Sequence, residues 1–138
     1  MYRRYPDRAS IATALLDEHE RVLQEKLLRG DPPPGPGAPP AERLAARYEA
    51  VVDLLERHIH LVLGTEVGRS RFESGAYGFW RAHVRSLLAE SSLAEPESLT
   101  DSLLAPLAPE VFQHQHETLG MGTRRIKAGL TELARRIL

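Results

Sequence analysis

Seven side chains that combine bulk with a polar or aromatic edge, Tyr48, His58, Phe72, Tyr77, Trp80, His83 and Phe112, fall on or near the apolar faces of expected helices. Together they suit a ligand pocket, in which aromatic walls bury the body of a small apolar or amphipathic molecule and a few polar tips orient it. Taken singly, each also fits an ordinary core position where its polar tip finds a local partner. Two histidine pairs, His58 with His60 and His114 with His116, invite a metal reading. A separation of two sends the rings to different sides of a helix, whereas chelation from one helix needs three or four, so no metal site is expected. His19, one turn after Leu15, reads as a core-edge or pocket-lining residue.

Covalent and acid–base catalysis have little to work with. The chain has no cysteine, no Gly-x-Ser-x-Gly elbow, no phosphate-cradling glycine loop and no His-Glu-x-x-His motif. Asp17, Glu18 and Glu20 form a carboxylate cluster among arginines, a pattern that usually marks a solvated helix face. The expectation is a protein that is not an enzyme and carries no cofactor.

These residues need helices to place them. Asp7 after Pro6 can cap a helix from about residue 8 to 28, with Ile11, Leu15 and Val22 on one stripe and Leu16, Leu23 and Leu27 beside it. Gly30 stops it. Residues 31–40 hold six of the ten prolines, which predicts a surface loop over 30–40, because proline lacks a backbone donor and restricts its predecessor. A second helix opens at Pro40 or Ala41, with Leu44, Tyr48, Val51, Val52, Leu55, Ile59 and Val62 on one face. Gly64 and Gly68 bracket a break. A third runs from about Phe72 to Ser91, with Ala76, Trp80, His83, Val84, Leu87 and Leu88 sharing a face. Pro96 opens the next helical stretch, to about Glu117, which Pro106 and Pro109 must kink or restart. A final helix sets Ile126, Leu130, Leu133, Ala134 and Ile137 at helical intervals. No β-pattern appears, so the class is all-α.

At 138 residues the chain suits one domain with a real core. A net charge of -1 offers no broad positive field for nucleic acid. The longest uncharged apolar run, Ile59 to Leu63 with His60 inside it, is far too short to cross a bilayer, and the first residues lack a signal-peptide core. A cytoplasmic protein with no membrane partner is expected. The arginine excess over lysine fits a GC-rich bacterial coding sequence.

The first eleven residues, Met1-Tyr2-Arg3-Arg4-Tyr5-Pro6-Asp7-Arg8-Ala9-Ser10-Ile11, resemble the point in TetR-family repressors where the DNA-recognition helix ends and the next begins. Tyr2, Tyr5, Arg8 and Ile11 fall in register with that pattern, while Arg4 stands where histidine is usual and Met1 where leucine is. Leu103-Leu104-Ala105-Pro106-Leu107 is similar to a leucine, leucine, small, proline, leucine segment in the penultimate helix of many TetR-type regulatory domains. The resemblance implies a remnant of a helix-turn-helix over 1–7 and a TetR-like regulatory bundle of five to six helices over 8–138. It further implies a small-molecule effector among the central helices and a homodimer built as a four-helix bundle from the last two helices of each subunit. Tyr2, Arg4 and Arg8 would touch operator DNA phosphates only in an intact form with the full helix-turn-helix.

Leu103, Leu107 and Val111, with Ile126, Leu130, Leu133 and Ile137, offer more apolar surface than a short C-terminal hairpin buries alone, which makes them the expected dimer interface. The bland alternative is that they finish the monomer core. A stand-alone helical dimerisation or adaptor module without a ligand is the rival function, and a small helical enzyme the remotest. A cavity facing Tyr77 and Trp80 would separate the first reading from the adaptor.

Overall fold

The structure, a computed structural model, describes the backbone of residues 8–31, 35–65 and 75–138 and the side chains of 14–31, 35–63 and 77–138. Among these the protein is all-helical, with six α-helices and no strand. Helix α1 spans Arg8–Arg29, α2 Pro40–Thr65, α3 Gly75–Ala89, α4 Pro96–Leu104, α5 Pro109–Gln113 and α6 Thr123–Ile137. Residues Tyr2, Arg4 and Phe72, and the side chains of Arg8 and Ile11, lie outside the described residues.

Helix α2 is the axis of the core. All seven apolar residues of its expected face, from Leu44 to Val62, are buried. It runs through Gly64 to Thr65 rather than stopping before the glycine, and it bends at His58, whose backbone leaves helical geometry (φ -134°, ψ 28°). Polar contacts between side chains show how its neighbours run. Lys127 meets Asp53 and Arg135 meets Glu42, so α6 lies antiparallel to α2. Arg43 meets Glu90 and Arg47 meets His83, which makes α3 antiparallel to α2 as well. Arg81 binds Asp101 and Arg85 binds Glu97, which sets α4 antiparallel to α3.

On α1 the two adjacent stripes behave differently. Leu27 is fully buried and Leu16 and Leu23 pack on the core, whereas Val22 is exposed. The stripe through Leu16, Leu23 and Leu27 therefore faces α2, because a helix lying on the outside of a bundle buries one narrow strip.

The prolines act where the sequence places them. Pro96 opens α4 at its first turn, where its missing N–H is one of the unpaired donors anyway. Pro106 sits in a 3-10 turn over Ala105–Leu107, and Pro109 opens α5. At the end of α4 the buried Tyr48 hydroxyl donates to the Leu103 carbonyl at 2.6 Å, tying α2 to this break. Burial raises the Tyr48 pKa well above the usual phenol range. After α5 the chain widens into a π-turn over His114–Thr118, closed by Leu119 N–H to His114 O and Met121 N–H to Gln115 O. Gly120, at φ 72°, makes that exit possible without a Cβ penalty.

Four of the seven expected interface residues lie in the core of the single chain. Leu103, Leu107, Ile126 and Leu130 are all buried within the single chain. They finish its own core: α6 lays Ile126 and Leu130 along α2, while Leu103 and Leu107 are buried at the proline break. Leu133 and Ile137 are half-buried, and of the seven only Val111 is exposed.

Candidate functional site

A cavity of about 480 Å³ opens between α1, α2, α3 and the α4–α5 junction. Its floor is apolar: Leu16 from α1, Val51, Leu54 and Leu55 from α2, and Leu104 and Leu107 around the proline break. The break itself helps make the space, since Ala105, Ala108 and Pro109 bring small or rigid side chains to the wall where a continuous helix would bring larger ones. Tyr77 and Trp80, one helical turn apart on α3, supply the aromatic wall.

Polar groups collect at the rim. Trp80 Nε1 donates to Glu20 Oε1 of α1 at 2.5 Å, and Gln24 Nε2 donates to the same oxygen at 3.0 Å. The Tyr77 hydroxyl donates to Asp101 Oδ1 at 2.8 Å, and Arg81 grips both Asp101 oxygens at 3.2 to 3.4 Å. Burial alone would push the Asp101 carboxyl up, but these hydrogen bonds and the Arg81 charge together hold it below its ordinary value. Asp17, also at the rim, is exposed to solvent.

Behind the aromatic wall lies a group the sequence reading passed over. Arg47 is fully buried, and its guanidinium carbon stands 4.9 Å from the centroid of the Trp80 ring. Its Nη1 donates to His83 Nδ1 at 2.9 Å. Because arginine has no acceptor, that contact fixes the imidazole as neutral, with its proton on Nε2. Nε and Nη2 of Arg47, and Nε2 of His83, meet no hydrogen-bond partner among the described residues. Burial lowers the Arg47 pKa to about 10, opposed by the nearby Glu20 charge, so the group stays cationic at neutral pH. His83 is lowered to about 4 by burial first and by the Arg47 and Arg43 charges second. A buried cation with one neutral partner is costly, because its lost hydration is repaid only in part.

Of the expected pocket residues, then, the structure brings Tyr77 and Trp80 to the cavity. His83 sits behind Trp80 on Arg47, with Phe79 stacked on it at 6.2 Å. Tyr48 and Phe112 belong to the core and do not line the space: the Tyr48 hydroxyl turns to Leu103, and Phe112 packs against the ring of His116 at 5.2 Å. His58 stands at the α2 bend against His19, with ring centroids 5.0 Å apart, and does not line the cavity either. The histidine pairs diverge. His60 reaches toward Glu117, and His116 donates from Nδ1 to the Met121 carbonyl. No group of three or more metal-ligating side chains occurs among the described residues.

The charged cavity residues that sequence reasoning missed are Glu20, Asp17, Asp101 and, just behind, Arg47. Arg47 carried a usable signal: it lies three residues after Leu44 and four before Val51, squarely on the buried stripe of α2, where a charged residue is out of place. Among the described residues no helix is long and apolar enough to cross a membrane. In comparisons with known proteins, the chain matches no family model, no curated protein and no solved structure.

Proposed function

We propose that this chain is the effector-binding and dimerisation domain of a TetR-like transcription regulator, a binding domain without catalytic activity. The observation that carries this reading is the cavity walled by Tyr77 and Trp80. Its volume of about 480 Å³ is of the size that holds a small organic molecule, and its surface is apolar with polar groups confined to the rim. A module serving only to join helices would gain stability by filling such a space, since every unfilled methylene costs packing energy. The regulator assignment draws on the pattern of Tyr2, Tyr5, Arg8 and Ile11, on the Leu103-Leu104-Ala105-Pro106-Leu107 segment, and on the all-helical order.

In this reading the effector spans α1, α2, α3 and the proline break, so its occupancy changes how those elements pack. It controls operator binding by favouring one of two arrangements of the paired subunits, which requires different effector affinity in each. In this reading operator DNA is contacted through a helix-turn-helix. The homodimer is supported by apolar side chains left in solvent near the C-terminal helices, Val111 at 39% and Leu119 at 55% exposure, with Leu133 and Ile137 half-covered beside them. Sedimentation at micromolar concentration is expected to give a dimer, and a monomer would remove that part of the proposal.

The ligand role has a direct test, because Trp80 is the single tryptophan and stands in the cavity wall. A panel of small apolar and amphipathic compounds is expected to include members that shift its emission and raise the melting temperature together. If no compound in a broad panel with neutral, cationic and anionic heads moves either signal, the effector role is lost.

A further inference from the structure

The orphaned guanidinium says which head group the cavity is built to take, an inference that rests on the ligand reading above. In an arginine, Nε–H and the Nη2–H beside it point the same way and are spaced to meet the two oxygens of one carboxylate. In Arg47 these are the two nitrogens that lack a partner, while Nη1 is engaged by His83. The free edge is thus the one suited to side-on carboxylate binding, and the residue is completely buried. His83 keeps the guanidinium in place without neutralising it.

Arg47 adjoins the cavity. It lies one helical turn before the lining residue Val51 on α2, about 6 Å along the axis. Trp80 both lines the cavity and covers the guanidinium, and its indole N–H is held across to α1 by Glu20. Rotating the indole releases one hydrogen bond and one cation–π contact and opens the cavity to the free edge. A carboxylate taking the place of the ring would give two charge-assisted hydrogen bonds, stronger than the cation–π contact that they replace.

The rim carboxylates do not outweigh this. Asp101 is neutralised by Arg81 and Tyr77, and Asp17 is solvated. Glu20 is the real competitor, because its charge already favours the cationic form of Arg47.

We infer that the cavity takes an amphipathic carboxylate, with its apolar chain against Leu16, Val51, Leu54 and Leu107 and its head group on Nε and Nη2 of Arg47 after the Trp80 indole swings aside. Trp80 is the gate and Glu20 the internal rival for the same cation.

Three probes that share one body and differ only in the head test this: octanoate, octan-1-ol and octylammonium, titrated at neutral pH against the full chain with Trp80 emission and calorimetry as readouts. Octanoate is expected to bind at least about tenfold tighter than the alcohol, and octylammonium weakest. Arg47→Met is expected to erase the difference between acid and alcohol. Glu20→Gln, which keeps an acceptor for the Trp80 N–H but removes the rival charge, is expected to widen it, and this variant decides the matter if Arg47→Met does not fold. Equal binding of acid and alcohol, or tightest binding of the amine, overturns the carboxylate inference while leaving the ligand cavity standing. Binding of none of the three overturns the inference, and if the wider panel is silent as well the ligand reading falls with it.

Discussion

Helix α2 packs against α6 along one flank and α3 along another, and the two seams treat charge in opposite ways. Against α6 the contact is an apolar stripe, Ile126, Leu130 and Ala134 at intervals of four residues, with charges kept to the solvent edge as the pairs Lys127–Asp53 and Arg135–Glu42. Such exposed pairs add little, about 0 to 1 kcal/mol each, so the seam is held by burial. Against α3 the contact contains Val84, Leu87 and Leu88 but also encloses Arg47 and His83, three of whose five side-chain nitrogens meet no hydrogen-bond partner among the described residues. The first seam gains stability from every residue. The second gives some of it up, which fits the binding role proposed above.

The largest effect should come from the α6 seam. Leu130 is nearly enclosed, and Leu130→Ala removes apolar contact from the stripe that α6 lays on α2. A loss of about 2 to 5 kcal/mol is expected in denaturant unfolding, the usual range for a buried leucine. Leu119→Ala, at an exposed position, should stay within about 0.5 kcal/mol. A cost for Leu130→Ala as small as that of Leu119→Ala would mean that α6 is not fastened to α2 by this stripe, and the comparison of seams would fail.

How much of this was readable beforehand follows the range of the forces involved. The buried face of α2 and the restarts at Pro96 and Pro109 follow from local backbone rules and helical periodicity, and they were legible. Which of two adjacent stripes on α1 turns inward was not, since Leu16, Leu23 and Leu27 and the Leu15–Val22 stripe have equal claims until α2 is in place. The same holds for Ile126 and Leu130, which the chain covers only once α6 docks on α2, and for Leu103 and Leu107, which are covered where the proline break meets α2. Trp80 and Tyr77 were legible as candidate wall residues because aromatics on an inward face are few. Glu20 was not, because its role depends on Trp80, sixty residues away, and periodicity assigns a glutamate among arginines to solvent. Arg47 shows the limit of pattern reading: its position on the apolar stripe was visible, but a charge there signifies a site only once its neighbours prove unable to satisfy it.

The α3 seam can be sharpened through pH. His83 must stay neutral in the folded protein, because a second proton would have to sit on Nδ1, facing the Arg47 N–H at 2.9 Å. Its pKa of about 4 in the fold lies below the ordinary 6.5, so between those values the unfolded chain binds the proton and the folded one does not. Stability from this group is therefore fully present above about pH 6.5 and is lost as pH falls toward 4, by roughly 3 kcal/mol at most. His58, also lowered by burial, slopes the same way, whereas Glu97, held low by Arg85 and Arg81, and Asp101, held low by Tyr77 and Arg81, begin to act only as pH falls into the ordinary carboxylate range. His83→Gln keeps an acceptor for Arg47 and cannot titrate. Unfolding free energies measured from pH 7.5 to 4.5 are expected to fall markedly less in this variant than in the parent, leaving the smaller His58 share. Equal slopes in the two proteins would show that His83 takes up its proton freely, and with it that the Arg47 cluster is more open to solvent than a gated site allows.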